Sequence, residues 1–143
     1  MPTNLKPRIL QVPLQEVMTL RHEVLWPDQP RLFSSVDGDD GAFHFGIVLD
    51  HCDGQLAGAA SLFANGDICQ LRKFAIRPTF QRQRLGSVLL EHIILFAKNH
   101  RFLTMFCDAR TTATGFYEKH GMTLSGDMFV KHGECYRRMC LKL

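Results

Sequence analysis

From Leu85 onward apolar residues recur at Leu85, Leu89, Ile93, Phe96 and Ala97, with a second row at Leu90 and Ile94. Steps of three and four keep such positions on one face, so the pattern predicts a helix beginning near Arg84. Lys98, His100 and Arg101 stand at its far end, where the helix dipole favours cations, and Asn99 is the expected left-handed cap. Pro78 removes a backbone donor and holds Arg77 extended, so a strand through Ile76 ends there and a loop follows.

Nearer the start, Leu5 to Val12 reads as an edge strand, with Pro7 interrupting its donors. After Pro13, the set Leu14, Val17, Met18, Leu20, Val24 and Leu25 predicts a helix of about twelve residues that Pro27 ends. Arg21, His22 and Glu23 within it read as a solvated or rim face. Trp26 to Gly41, with its prolines and Asp37-Gly38-Asp39-Asp40, reads as a long loop. Its aspartates are expected to keep a turn soluble, the other reading being attraction of an amine.

Ala42 to Leu49 and Gln55 to Phe63 alternate as strands joined across Asp53-Gly54, and Asn65-Gly66 leads into a third strand, Ile68 to Ile76. On that strand simple alternation puts Gln70, Arg72 and Phe74 on one face and Cys69, Leu71, Lys73 and Ala75 on the other. Phe102 to Cys107 is a short apolar strand, and strand, helix, strand implies a parallel crossover. Thr111 to His120 reads as a short helix, capped by Thr111 or Asp108 and stopped by a left-handed Gly121. Gly115 weakens it by roughly 1 kcal/mol relative to Ala, which close approach of a ligand or strand would explain. Leu124 to Lys131 and Glu134 to Leu143 close the chain as a hairpin around His132-Gly133.

A chain of 143 residues and 16.3 kDa with no linker fits a single domain over residues 1–143. The formal charge of +3 is modest, with local clusters at Arg72-Lys73 and Arg82 to Arg84 rather than a long basic run. A polyanionic small ligand suits this distribution better than nucleic acid. Cys52, Cys69, Cys107, Cys135 and Cys140 form no CxxC pair and have no histidines at zinc-finger spacing, so they read as reduced thiols of a cytoplasmic protein, and no metal is expected. Met1 to Pro7 has no apolar signal core and no apolar run is long enough for a membrane span, so no membrane role is expected.

The loop before the central helix is where chemistry is expected. First-turn amides of a helix lack internal partners, Gly86 keeps a Cβ from holding an anion off the backbone, and Arg82 and Arg84 supply fork-shaped donors that suit phosphate. The residues alone leave open an ordinary strand-turn-helix connection with solvated arginines.

Gln81-Arg82-Gln83-Arg84-Leu85-Gly86, after Ile76-Arg77-Pro78 and before Ser87-Val88-Leu89-Leu90, resembles the Q/R-x-x-G-x-G/A acyl-CoA motif of the GNAT acetyltransferase superfamily, with Arg84 at the usual middle glycine. That departure is tolerable if Arg84 has ordinary helical angles. Asp108-Ala109-Arg110-Thr111-Thr112-Ala113-Thr114-Gly115-Phe116-Tyr117, ending in Gly121-Met122, resembles the family's later N-A-R-x-x-A-x-x-F-Y-x-x-x-G-F segment, with Asp108 for Asn and Met122 for Phe. Leu20 to Leu25, the acidic loop and His44 are similar to the ElaA-like branch.

The resemblance implies an α/β (α+β) fold: a mixed, mostly antiparallel sheet of six to seven strands flanked by helices, in the order β-α-β-β-β-α-β-α-β-β. It implies an N-acetyltransferase that moves an acetyl group from acetyl-CoA, as co-substrate, to a small-molecule or peptide primary amine by direct transfer in a ternary complex. A non-catalytic acyl-CoA sensor or interaction module on the same fold is the alternative. Carried over by position, the cofactor contacts are Phe74, Ala75, Ile76, Gln81, Arg82, Gln83, Arg84, Leu85, Gly86, Ser87, Asp108, Thr112, Ala113, Phe116 and Tyr117. Tyr117 is the expected general acid, since a phenol with a pKa of about 10 can donate to a forming thiolate. Some relatives carry a glutamate base where this chain has Gln70, leaving His44, Glu23, Asp108, a water chain or an already neutral amine. His44 is the nominal first choice. The acceptor and the oligomeric state stay open, a homodimer through the C-terminal hairpin being the assembly considered.

Overall fold

The computed structural model describes residues 6–50 and 54–143. The start of the first expected strand at Leu5, the turn residues 51–53 and Cys52 lie outside the described residues. Chain order is β1 (Arg8–Gln11), α1 (Leu14–Leu20), β2 (Phe43–Val48), β3 (Gly58–Asn65), β4 (Ile68–Ile76), α2 (Leu85–Asn99), β5 (Thr104–Arg110), α3 (Thr114–Glu118), β6 (Thr123–Lys131) and β7 (Glu134–Lys142). This is the expected order of strands and helices, and α1 and α2 fall where apolar spacing put them.

The seven strands form one sheet in the order β1-β2-β3-β4-β5-β7-β6. All neighbours are antiparallel except β4 and β5, the two joined through α2. Helix α2 buries Leu85, Leu89, Leu90, Ile93 and Ala97 against Phe45, Leu62, Leu71 and Met105 of the sheet. On the other face Val17 and Leu20 of α1 pack with Val48, Ala59 and Ala75. Fully burying side chains of this kind stabilises the fold by roughly 1.5–3 kcal/mol each, enough to fix which face each helix covers.

The parallel pairing is short. It runs from Ile68 opposite Thr104 to Leu71 opposite Cys107 and goes no further, although both strands continue. Beyond Leu71 strand β4 carries a bulge. Ser61 stands opposite Arg72 but Ala59 opposite Ala75, so Lys73 and Phe74 together face Ala60, and Lys73 takes a left-handed φ of 56°. The alternation expected for β4 is therefore broken: Phe74 packs with the α2-side core that holds Cys69 and Leu71, while Ala75 joins the α1 side. A bulge without glycine leaves no composition signal.

Other local expectations are corrected. Asn99 stays inside α2, and the left-handed residue beyond it is Arg101, whose amide bonds the Lys98 carbonyl. Thr111 to His120 is a 3-10 turn, Thr111–Ala113, followed by the single α-turn of α3, with Arg110 before it and no side-chain cap. Asp108 does not cap it; it lies in β5 and takes a two-pronged bond from Arg138, Nε at 2.9 Å and NH2 at 3.2 Å. Gly121 is left-handed as expected, whereas a Cβ at Gly115 would meet no protein atom within 4 Å, so no strand approaches it there.

The largest correction concerns Arg21 and Asp39, expected on a solvated rim and in a soluble turn. The helix of α1 widens into a π-type turn over Arg21–Leu25, and Arg21 is fully buried. Its guanidinium donates to both oxygens of Asp39 at 2.9 Å, to the Ser34 carbonyl at 3.2 Å and to Ser61 Oγ at 2.9 Å. Asp39 Oδ2 also accepts from the Val36 amide at 2.8 Å. Burial works against the charge on Asp39, but the bonds from Arg21 and Val36 and the neighbouring positive charges outweigh it and hold the carboxyl below its ordinary value. This network binds the long 26–41 segment to the sheet.

Asp39→Asn should leave the guanidinium buried with its charge uncompensated, at a cost of roughly 3–5 kcal/mol in urea unfolding at pH 7. Because the folded-state pKa is depressed, the contribution is present above the ordinary value of 3.8 and lost as pH falls through the folded value. The gap between wild type and Asp39→Asn should accordingly narrow in acid. An equal gap at pH 7 and in acid would mean that the ion pair contributes no net stability.

Candidate active site

Where β4 and β5 part, the sheet opens into a cleft of about 1080 Å³. One wall is built by Phe74, Ala75 and Ile76 at the end of β4, the turn after it, and the first turn of α2. Of the residues expected to contact an acyl donor, Phe74, Ala75, Ile76, Gln81, Arg82, Arg84, Leu85, Gly86, Ser87, Asp108, Ala113, Phe116 and Tyr117 all line the cleft. Gln83 and Thr112 are exposed and do not line it.

The turn before α2 has an unusual backbone. Arg82 has φ 64° and Arg84 φ 63°, ψ 12°, so Arg84 is left-handed and the condition of ordinary helical angles is not met. A side chain there costs roughly 1–2 kcal/mol, which explains why glycine suits this position. Alternation of left-handed and ordinary residues makes a nest of successive amides. Among the described residues the amides of Arg82, Gln83, Arg84, Leu85, Gly86 and Ser87 find no protein acceptor, the first helical bond being Val88 to Arg84 at 3.1 Å. Arg82 and Arg84 have no salt bridge among the described residues. The Gln81 side chain braces the turn by donating to the Ile76 carbonyl at 3.1 Å. A Cβ on Gly86 would meet the Phe116 ring at 3.4 Å, an ordinary van der Waals contact, so the ring by itself does not demand glycine there. Amides, dipole and guanidinium groups together can hold an anion such as a pyrophosphate.

Strain gathers at this cleft. Five described non-glycine residues are left-handed, Lys73, Arg82, Arg84, Arg101 and His132, and all but Arg101 line it.

Tyr117 sits on α3, 8% exposed, with its ring edge-on to Phe116 at 5.1 Å and to Phe74 at 6.2 Å. Burial, with Cys107 beside it, raises the phenol's pKa above its ordinary value, so it keeps its proton through the neutral range. Among the described residues its hydroxyl has no hydrogen-bond partner, leaving it able to donate into the cleft. Cys107 is itself pushed up to about 12 by burial and by Asp108 and Cys140, which makes it an inert thiol.

His44 lies elsewhere. It is buried on β2, outside the cleft lining, with Nδ1 2.7 Å from Ser61 Oγ and Nε2 2.8 Å from the Asp39 carbonyl. A carbonyl only accepts, so Nε2 carries hydrogen; Ser61 Oγ accepts from Arg21 and has its own hydrogen left for Nδ1. No lone pair remains to take a substrate proton. Glu23 bonds Arg77 at 2.7 Å and does not line the cleft, and Asp108, which does, is occupied by Arg138. Gln70 lines the cleft, but an amide is no base.

The far wall was not legible in the sequence. It is made by Trp26, Phe33, Lys73, Lys131, His132 and Tyr136 with neighbours from β4 and the 26–41 segment. The rings of Trp26, Phe33 and His132 meet edge-on, with centroids 5.0–5.9 Å apart, and so join the segment after α1 to the β6–β7 turn. Only the length of the 26–41 loop, with its prolines and its aspartates, hinted at function.

Comparison with known proteins agrees with this architecture. A family model described as the acetyltransferase (GNAT) family matches residues 13–122, well over half of the chain and both motif segments. An uncharacterized N-acetyltransferase of Bacillus subtilis (strain 168), YitI, is 26% identical over 127 residues, covering 82% of this chain and 83% of the relative. The crystal structure of Escherichia coli ElaA superposes with a TM-score of 0.77 at 15% identity, over 95% of this chain and 98% of that one. A GNAT family acetyltransferase from Elizabethkingia anophelis with acetyl-CoA bound gives a TM-score of 0.69 at 18% identity, over 96% and 98% of the two chains. At such identities the structural likeness speaks for the fold, while the family match, spanning the open β4–β5 seam and the turn before α2, carries the assignment: the chain belongs to the GNAT acetyltransferase family.

Proposed function

We propose that the protein is an N-acetyltransferase acting as a single domain, taking acetyl-CoA as donor and a primary amine as acceptor in direct transfer within a ternary complex. The observation that carries this reading is the run of six amides from Arg82 to Ser87 and the two guanidinium groups flanking them at one end of the cleft, all without a protein partner among the described residues. That site fits a pyrophosphate. The exposed backbone edge of β4 beyond Leu71 fits an amide-bearing arm lying between the strands as an added partner. Acetyl-CoA supplies an activated thioester and a stable thiol leaving group.

The protein's share is largely positioning. Reaction forms an amide bond and breaks the C–S bond; the amine gives up one proton to solvent, and the departing sulfur takes one. Tyr117 is the residue for that last proton: its phenol stays protonated through neutral pH and lines the cleft with no protein partner. His44 holds Ser61 and Asp39 in place and takes no part in this reading. The amine is delivered neutral without a carboxylate base, since Gln70 stands where one would serve.

Acetyl-CoA and CoA should raise the melting temperature by several degrees at 100 times their dissociation constants, about 2.7 kcal/mol of linkage, while ATP should not. No response to any CoA species in the thermal-shift titration would end this reading; binding without thiol release for any amine would identify a sensor. Tyr117→Phe should lower turnover by on the order of a hundredfold with donor affinity unchanged, and wild-type turnover would remove the residue from the mechanism. Arg84→Gly should raise stability of the free protein by roughly 1 kcal/mol by relieving left-handed strain. The same change should weaken CoA binding and flatten its salt dependence, checked by urea melts and titrations at two salt concentrations.

A further inference from the structure

Transfer to an amine does not by itself call for cations on the acceptor side, yet that side is rich in them. Arg72 and Lys73 are consecutive on β4, at the edge of the bulge and within it, and both line the cleft. Lys131, at the end of β6, lines the same wall. Among the described residues none of the three has a salt bridge or donates a hydrogen bond, and Arg72 only lies over the Phe63 ring at 5.8 Å. The fold therefore keeps a strained, left-handed lysine beside two like charges, only partly balanced by Asp39, which Arg21 already holds. Asp37 is the remaining acid of that wall, since Asp108 is held by Arg138. A plain cationic amine would be repelled here.

We propose, building on the acetyl-transfer reading, that the acceptor is a primary amine that also carries an anionic group, a carboxylate or a phosphate, bound by Lys73 with Arg72 and Lys131. The apolar body of such a molecule lies against the Trp26, Phe33 and His132 rings that close the same wall. The anion offsets the repulsion that would otherwise exclude the amine. What remains of the positive field disfavours the ammonium form, so the amine gives up its proton without a dedicated base. Burial and repulsion from Arg72, Arg21 and Lys131, only partly offset by Asp39, bring the Lys73 ammonium down to about 8, and Asp37 and His132 share its wall.

The test uses reaction products, so that binding is read without turnover. N-acetyl-L-phenylalanine and N-acetylphenethylamine differ by the carboxylate alone, and phenyl phosphate supplies the other anion. In calorimetric titrations at pH 7 an anionic probe should bind at least about tenfold more tightly than N-acetylphenethylamine, a difference of about 1.4 kcal/mol. That preference should fade as pH rises through about 8 and Lys73 loses its proton. Lys73→Asn, a residue that tolerates left-handed φ, should abolish the preference, and Lys73→Arg should keep it. Lys73→Asn should also melt above wild type at pH 7, because an ammonium whose pKa is lowered from 10.5 to about 8 destabilises the fold progressively as pH falls between those values and fully below about 8. Equal binding of the matched pair, no saturable binding of any anionic probe, or a preference that survives Lys73→Asn overturns the proposal. Thiol release with phenethylamine but no anion preference would sink this inference and leave acetyl transfer standing. Anion binding that depends on Lys73, with no thiol release for any amine, would end the acetyl-transfer reading and with it the acceptor assigned here, leaving an anion site alone.

Discussion

The cleft exists because β4 and β5 cannot stay paired. Their parallel ladder stops after Leu71 and Cys107, at the point where an extra residue enters β4. From there β4 remains bonded to β3 and β5 to β7, so the sheet is continuous above and open below. The seam leaves backbone groups of both strands without sheet partners, and buried backbone groups demand partners. A ligand lying between the strands can supply them, which ties the opening of the sheet to its proposed use.

The two walls of this opening are held by different physics. On the α2 side apolar burial does the work, with Tyr117 and Met122 packed into the main core beside Cys107 and Ala109. On the α1 side the 26–41 segment offers little apolar surface, and the ion pair of Arg21 and Asp39 holds it instead, extended through Ser61 to His44. A buried pair is a weak source of net stability but a strong source of register, because either partner alone is left charged in an apolar setting. The π-type turn at Arg21–Leu25 belongs to the same solution, since it is where the helix brings Arg21 inward.

At the start of α2 the chain accepts strain in exchange for charge. Arg84 adopts the left-handed conformation that glycine would take freely, and Arg82 does likewise two residues earlier. Both keep guanidinium groups at a nest of free amides. Lys73 follows the same logic on the opposite wall, so strain and unpaired positive charge coincide around the cleft.

By itself the sequence determined the elements and pointed to most of the wall formed by the end of β4, the turn after it and the start of α2. The spacing of Leu85, Leu89 and Ile93 defined α2 and Pro78 ended β4, while the two motifs of the family resemblance marked Gln81, Arg82, Arg84, Gly86, Phe116 and Tyr117, which do line the cleft, and Gln83 and Thr112, which do not. The first two signals are local, periodicity and a missing donor; the motifs were read from the resemblance. Tertiary structure alone decided the rest. Arg21 reads as a surface residue until a carboxylate 18 positions away is brought to 2.9 Å, and His44 reads as a base until Ser61 and Asp39 take both its nitrogens. The bulge at Lys73 has no glycine to announce it, and the wall joining Trp26, Phe33 and His132 unites residues a hundred positions apart. Such features depend on which segments meet across the sheet, and no window of sequence contains both partners.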